Sequence, residues 1–105
     1  YYKTARGQQP HGATRQLMSF TGAAMGWDAF LHAEVLLTQP LMVVIGDKPG
    51  GFGAYLDGLE IHGRAASKDK HLVVAEGWSH YDLYDRDEPV ALAMEQLLPF
   101  FQKHL

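Results

Sequence analysis

Two stretches of the chain are apolar without alternation. Leu41 to Ile45, in "PLMVVIG", is a continuous run rich in β-branched residues, opened by Pro40 and closed by Gly46. A strand buried on both faces reads this way. Leu72 to Ala75, in "SKDKHLVVAEG", is a second short strand after a polar turn. Between them, "AYLDGLEIHGRAA" has a rough inner helical face through Tyr55, Leu59 and Ile61, or through Ile61 and Ala65, weakened by Gly58 and Gly63. Last comes "DEPVALAMEQLLPFFQKHL", where Val90, Met94, Leu97, Leu98, Phe101 and Leu105 fall at offsets 0, 4, 7, 8, 11 and 15. That is one helical stripe. Pro89 suits a first helical position with Asp87 or Glu88 as cap, and Pro99 is expected to kink the helix.

The part before Pro40 is less regular. Residues 1–15 are polar, with Gly7, Pro10 and Gly12 as breakers, and read as an irregular arm. The arm starts with Tyr1 and Tyr2, and two adjacent aromatics ordinarily pack on something. From Leu17 to Leu37 the pattern is loosely helical, interrupted by Gly22 and Gly26; its clearer half follows Asp28 as N-cap and runs "AFLHAEVLL". The expected fold class is α/β: a helical N-terminal segment (residues 1–39), then β-α-β-α (residues 40–105), in a single domain. Two buried-type strands joined by a helix are expected to be adjacent and parallel with a right-handed crossover. The last helix should pack across them through Val90, Met94, Leu97 and Phe101.

Composition narrows the function classes. The chain has 105 residues, 47% apolar and 20% charged, with a net charge of −3 and no long charged runs. That balance argues against nucleic acid or an anionic membrane as partner. Cysteine is absent, which excludes disulfides and thiolate metal sites and fits a reducing compartment. There is no 18-residue apolar span and no signal-peptide pattern at the start, so a cytoplasmic location is expected.

Candidate chemistry is concentrated in "EGWSHYDLYD", Glu76 to Asp85. His80 lies in a loop between the second strand and the last helix, where an imidazole can reach a nucleophile held on a neighbouring strand. Asp82 and Asp85 follow, placed to cap or brace that helix. "KPGGFG" lacks the G-K-[ST] ending of a phosphate loop and the G-x-G-x-x-G spacing, so no nucleotide cofactor is expected. His62, His71 and His80 share no ligand spacing with a carboxylate, so no metal is expected either.

The order of an acid after one strand and a histidine after the next resembles the C-terminal part of an α/β-hydrolase, whose triad runs Ser, then Asp or Glu, then His. "PLMVVIGD" looks like the acid-bearing strand, "GWSHYDLYD" like the histidine loop and "LLPFFQKHL" like the closing helix. "DAFLHAEVLLTQP" is similar to the passage from the cap region into the acid-bearing strand. The "SHYDLYD" segment is most similar to the dienelactone-hydrolase-like group. The resemblance covers nearly the whole chain and implies a serine hydrolase of ester or related acyl bonds, with His80 as general base. Asp47, immediately after the first strand, is favoured as its orienting acid, and Asp57 is the alternative. No G-x-S-x-G elbow is present: Ser19, Ser67 and Ser79 lack the flanking glycines. The chain is therefore expected to be inactive alone. Its expected partner is the missing N-terminal part of the same protein or a second copy in a homodimer. The competing reading is a non-catalytic small α/β domain that oligomerises through its sheet edges.

Overall fold

A computed structural model describes residues 1–12, 14–49 and 53–105. The apolar run after Pro40 forms strand β1, Leu41–Lys48, and the second run forms β2, Lys70–Ser79. Both are longer than their apolar centres: β1 continues through Asp47 and Lys48 at its C-terminal end, and β2 is extended at both ends. The two strands are adjacent and parallel, in register from Leu41 opposite Lys70 to Gly46 opposite Ala75. They make one open two-stranded sheet.

The helix between them, α3, spans Ala54–Arg64 and lies against β1 through Gly58, beside Val43 and Ile45. Strand residues two apart share a face, so Val43 and Ile45 look towards α3 while Met42 looks the other way. Met42 lines a hollow with His71, Phe100 and Lys103. The latter two belong to α5, Asp87–His104, which covers this second face. Lys70 Nζ reaches back to the last carbonyls of α3, at 3.2 Å from Gly63 and 2.9 Å from Ala65, a favourable place for a cation.

Helix α5 differs from its expected packing. Its inner face is Pro89, Val90, Ala93, Leu97, Phe100 and His104, whereas Met94 and Phe101 are exposed. The apolar stripe is thus turned relative to the buried one, which includes a small and a polar residue that a hydrophobic pattern does not weigh. Arg86 is the N-cap and makes no side-chain capping bond, and Pro89 is the third helical residue. Proline is tolerated there because the first-turn N–H groups have no intrahelical partner. The helix runs on through Pro99. Asp82 and Asp85 do not cap it; they lie in a separate short helix, α4, Asp82–Asp85.

Before the sheet come two short helices, α1 (Ser19–Met25) and α2 (Ala33–Leu36). Asp28 does not cap α2. Its carboxylate instead accepts the Phe30 N–H at 2.9 Å in a local turn, and His32, at φ 64°, precedes the helix. Asp and Asn side chains compete with helix in this manner. Arg64 fastens this segment to α3, donating to the Phe30 carbonyl at 2.8 Å and to Glu34 at 3.3 Å. The part of the glycine loop at residues 50–52 lies outside the described residues.

The buried apolar core is small: Ala33, Ile45, Ala65, Ala75 and Pro89. The chain exposes 7832 Å² for a mass of 11.7 kDa, roughly 1,900 Å² more than a compact monomer of that mass. Its radius of gyration is 16.0 Å, against about 13 Å for a compact domain of this length. Leu17, Met18, Phe20, Met25 and Trp27 all lie at the surface. Among the described residues no helix is long and apolar enough to cross a membrane.

Candidate functional site

The pairing of the two strands becomes irregular where the candidate residues lie. After Gly46 opposite Ala75, the next pair is Lys48 opposite Ser79, so β2 gains extra residues over β1. Gly77 sits in this bulge at φ 77°, a conformation that favours glycine. Gly46 is needed opposite, because a Cβ there would run into the Trp78 carbonyl. Asp47 fixes the bulge, its Oδ1 accepting the Gly77 N–H at 2.6 Å.

The chain then turns at Ser79–Asp82. Asp82 Oδ2 accepts both the Ser79 N–H at 2.9 Å and the Ser79 hydroxyl at 2.6 Å. These bonds, with help from Arg6, hold the Asp82 carboxyl below the usual carboxylate range. The turn presents His80 at the C-terminal end of the sheet, where active sites of open parallel sheets form.

His80 opens onto a cleft of about 320 Å³ lined by Val43 to Gly46 of β1 and by Ala54, Tyr55, Asp57 and Gly58 of α3. Both sequence-selected aspartates are near strand β1 or helix α3, but their environments differ. Asp57 shares the cleft with His80, whereas the Asp47 carboxylate is engaged with the bulge. The cleft runs along consecutive residues of β1, hence along its unpaired edge rather than one face.

Behind His80 is a group that sequence reasoning did not assign. His80 Nε2 lies 2.8 Å from the Tyr84 hydroxyl, one helical turn on. The Tyr84 hydroxyl is in turn within hydrogen-bond distance of the Tyr2 hydroxyl, at 3.3 Å. Tyr1 stacks on Tyr81, with ring centroids 5.4 Å apart and an interplanar angle of 3°, and meets Tyr84 edge-on at 5.3 Å. Offset and edge contacts of this kind each add modestly to simple burial. Arg6 completes the clasp. It grips Asp85 with two nitrogens, at 3.1 and 2.5 Å, and also donates to Asp82 Oδ1 at 3.2 Å and to the Tyr81 carbonyl at 3.1 Å. Its guanidinium holds the Asp85 carboxyl below the usual range. Hydrogen bonding to Tyr2, followed by burial, pushes the Tyr84 phenol up to about 12. The only sequence signal for this clasp was the unusual Tyr1–Tyr2 pair; Arg6 gave none.

No family model matches the chain. Over all 105 residues it is 37% identical to the uncharacterized protein YcjY of Escherichia coli (strain K12). The chain spans only 33% of that protein's length.

A second cluster lies at the other end of the sheet. Asp69 meets His71 Nε2 at 2.7 Å, Lys103 Nζ at 2.8 Å and His104 Nε2 at 3.3 Å. It ties the end of α5 to the turn before β2. Among the described residues, no group of histidine and carboxylate side chains could hold a metal ion.

Proposed function

We propose that the chain is the histidine-bearing C-terminal part of a serine α/β-hydrolase acting on ester or related acyl bonds. The observation that carries this reading is the placement of His80. A bulge and a turn, each held by an aspartate, aim it at a cleft along the open edge of a parallel strand. In this reading His80 is the general base and Asp57 its orienting acid. Asp57 is preferred to Asp47 because it lines the cleft with His80, while Asp47 braces the bulge that delivers the histidine.

A general base needs a hydroxyl to deprotonate, and no G-x-S-x-G elbow is available in this sequence. The nucleophile and its oxyanion donors would come from strands added at the β1 edge. The exposed area supports such an addition. An excess of roughly 1,900 Å² over a compact monomer exceeds the ~800 Å² that one partner contributes to a standard interface. The full length of the E. coli relative, about three times the span matched here, is consistent with that arrangement.

The reading frame upstream of the Tyr1 codon tests the proposal. An open frame encoding G-x-S-x-G supports it. A start codon just upstream of the Tyr1 codon favours the alternative, a non-catalytic α/β domain that completes its sheet with a second copy. The open β1 edge is equally an observation in favour of that alternative, since unpaired parallel strands recruit other chains.

A further inference from the structure

We propose that Arg6, on the N-terminal arm, is the positioning residue of the His80 turn: its guanidinium fork holds the backbone from Ser79 to Asp82 in the conformation that presents the imidazole to the cleft. The inference rests on the reading of His80 as a general base and adds to it a residue that acts through the turn, from the opposite end of the chain.

A guanidinium donates and never accepts, so the direction of every Arg6 bond is fixed. Its Nη2 lies among three oxygens next to the histidine: the Tyr81 carbonyl at 3.1 Å, Asp82 Oδ1 at 3.2 Å and Asp85 Oδ1 at 2.5 Å. Nε adds a second bond to Asp85, at 3.1 Å, which sets the plane of the fork. The Asp82 carboxylate carries the hold across the turn. Its Oδ1 faces Arg6, while Oδ2 accepts the Ser79 N–H and hydroxyl at 2.9 and 2.6 Å. The residues before and after His80 are thus tied to one cation, directly at the Tyr81 carbonyl and through Asp82 at Ser79. Arg86 does not stand in for Arg6, since its Nε is 3.8 Å from Asp82 Oδ1, beyond hydrogen-bond reach.

The arm is shaped to deliver that cation. Residues 1–8 wind into successive turns: the Thr4 N–H meets the Tyr1 carbonyl at 3.0 Å, and the Gly7 and Gln8 N–H groups meet the Thr4 carbonyl at 3.2 and 2.8 Å. Gly7 approaches the Tyr1 ring so closely that a Cβ there would overlap it. Tyr1 in turn stacks on Tyr81, and the Arg6 guanidinium lies over the Tyr1 ring at 5.4 Å. Exposed ion pairs add little to global stability, so the effect of these bonds falls on the local order of the turn. A lysine at this position would supply a point charge in place of nitrogens set in a plane. Misplacing a reacting group by about 1 Å costs about 10²-fold in rate, which is the scale on which a loosened turn acts.

Backbone ¹⁵N relaxation of the chain, with ring ¹H–¹³C spectra of its histidines, reads the order of the turn. Residues 79–82 are expected at order parameters of about 0.85 in the wild type and below about 0.6 in Arg6→Ala, with the His80 ring signals moving as the turn loosens. Arg6→Lys keeps the charge without the fork and should recover less than half of the difference; it carries the test by itself if the alanine variant does not fold. His32, His62, His71 and His104, outside the arm and the turn, keep their ring shifts in both variants. Arg64→Ala, which removes an arginine from α3, should leave the turn ordered. Unchanged order in Arg6→Ala, full recovery by lysine, or equal loosening in Arg64→Ala would overturn the proposal. In the polypeptide extended upstream of Tyr1, Arg6→Ala should lower kcat by about 10²-fold with KM little changed, and an unchanged kcat would likewise overturn it. If that polypeptide kept its hydrolysis in His80→Ala, the base assignment would fail while the role of Arg6 in ordering the turn stood.

Discussion

Gly58 is where α3 approaches the sheet most closely, and adding one methyl group there tests the packing of the whole unit. A Cβ at Gly58 would overlap Ile45 Cγ2 and sit 3.4 Å from Val43 Cγ1. Ile45 is buried and β-branched, so its methyl cannot swing aside. Restoring ordinary carbon–carbon spacing requires α3 to move outward by about an ångström. Overpacking of this kind costs about 2–3 kcal/mol, offset by the ~1 kcal/mol that alanine gains over glycine within a helix. Gly58→Ala is therefore expected to lose about 1–2 kcal/mol. Gly63, near the end of the same helix, supplies the control, since its Cβ would meet nothing within 4 Å. Gly63→Ala should gain about 0.5–1 kcal/mol. Urea unfolding followed by circular dichroism measures both. In thermal melts each kcal/mol corresponds to about 4–8 °C at this size. If Gly58→Ala proved as stable as the wild type, or if both variants shifted the same way, the close seat of α3 on β1 would be wrong.

The arm clasp should open in acid. The Asp82 and Asp85 carboxyls are held below their unfolded values, so their contribution is present above about pH 4 and is lost as pH falls through the folded values. Amide protection factors over residues 1–8, taken relative to the intrinsic exchange rate at each pH, should accordingly fall below that pH, and Arg6→Ala should lower them in the same way at neutral pH. Asp47→Ala removes the acceptor of the Gly77 N–H and should destabilise the chain by about 1 kcal/mol, measured by urea unfolding. The chain on its own should not hydrolyse short p-nitrophenyl esters, and light scattering should show it associated, with a dimer as the first species. A monodisperse monomer would mean that the β1 edge is covered in some other way.

The strands and their parallel pairing were legible because Leu41–Ile45 and Leu72–Ala75 are apolar without alternation, and the linking helix then allows few arrangements. The orientation of α5 was less legible. Apolar residues at spacings of three and four outline two overlapping faces, and Ala93 and His104, which complete the buried one, carry no hydrophobic signal. The Asp28 turn was misread because an aspartate before an apolar run suits a cap and a turn equally. For the candidate site, the position of His80 in the turn after β2 could be read from the apolar run that precedes it. The local sequence could not show whether Asp47 or Asp57 shares its cleft, because that depends on how α3 folds back over β1. The clasp was invisible for a different reason: Arg6 and Asp85 lie 79 residues apart, and no pattern in either segment points to the other.

We propose His80 as the general base of a hydrolase whose nucleophile lies outside this segment. Turnover of a short p-nitrophenyl ester by the polypeptide extended upstream of Tyr1, with and without His80→Ala, tests it most directly. Hydrolysis is expected to fall by about 10²–10⁴-fold in the variant. Undiminished hydrolysis in His80→Ala would contradict it.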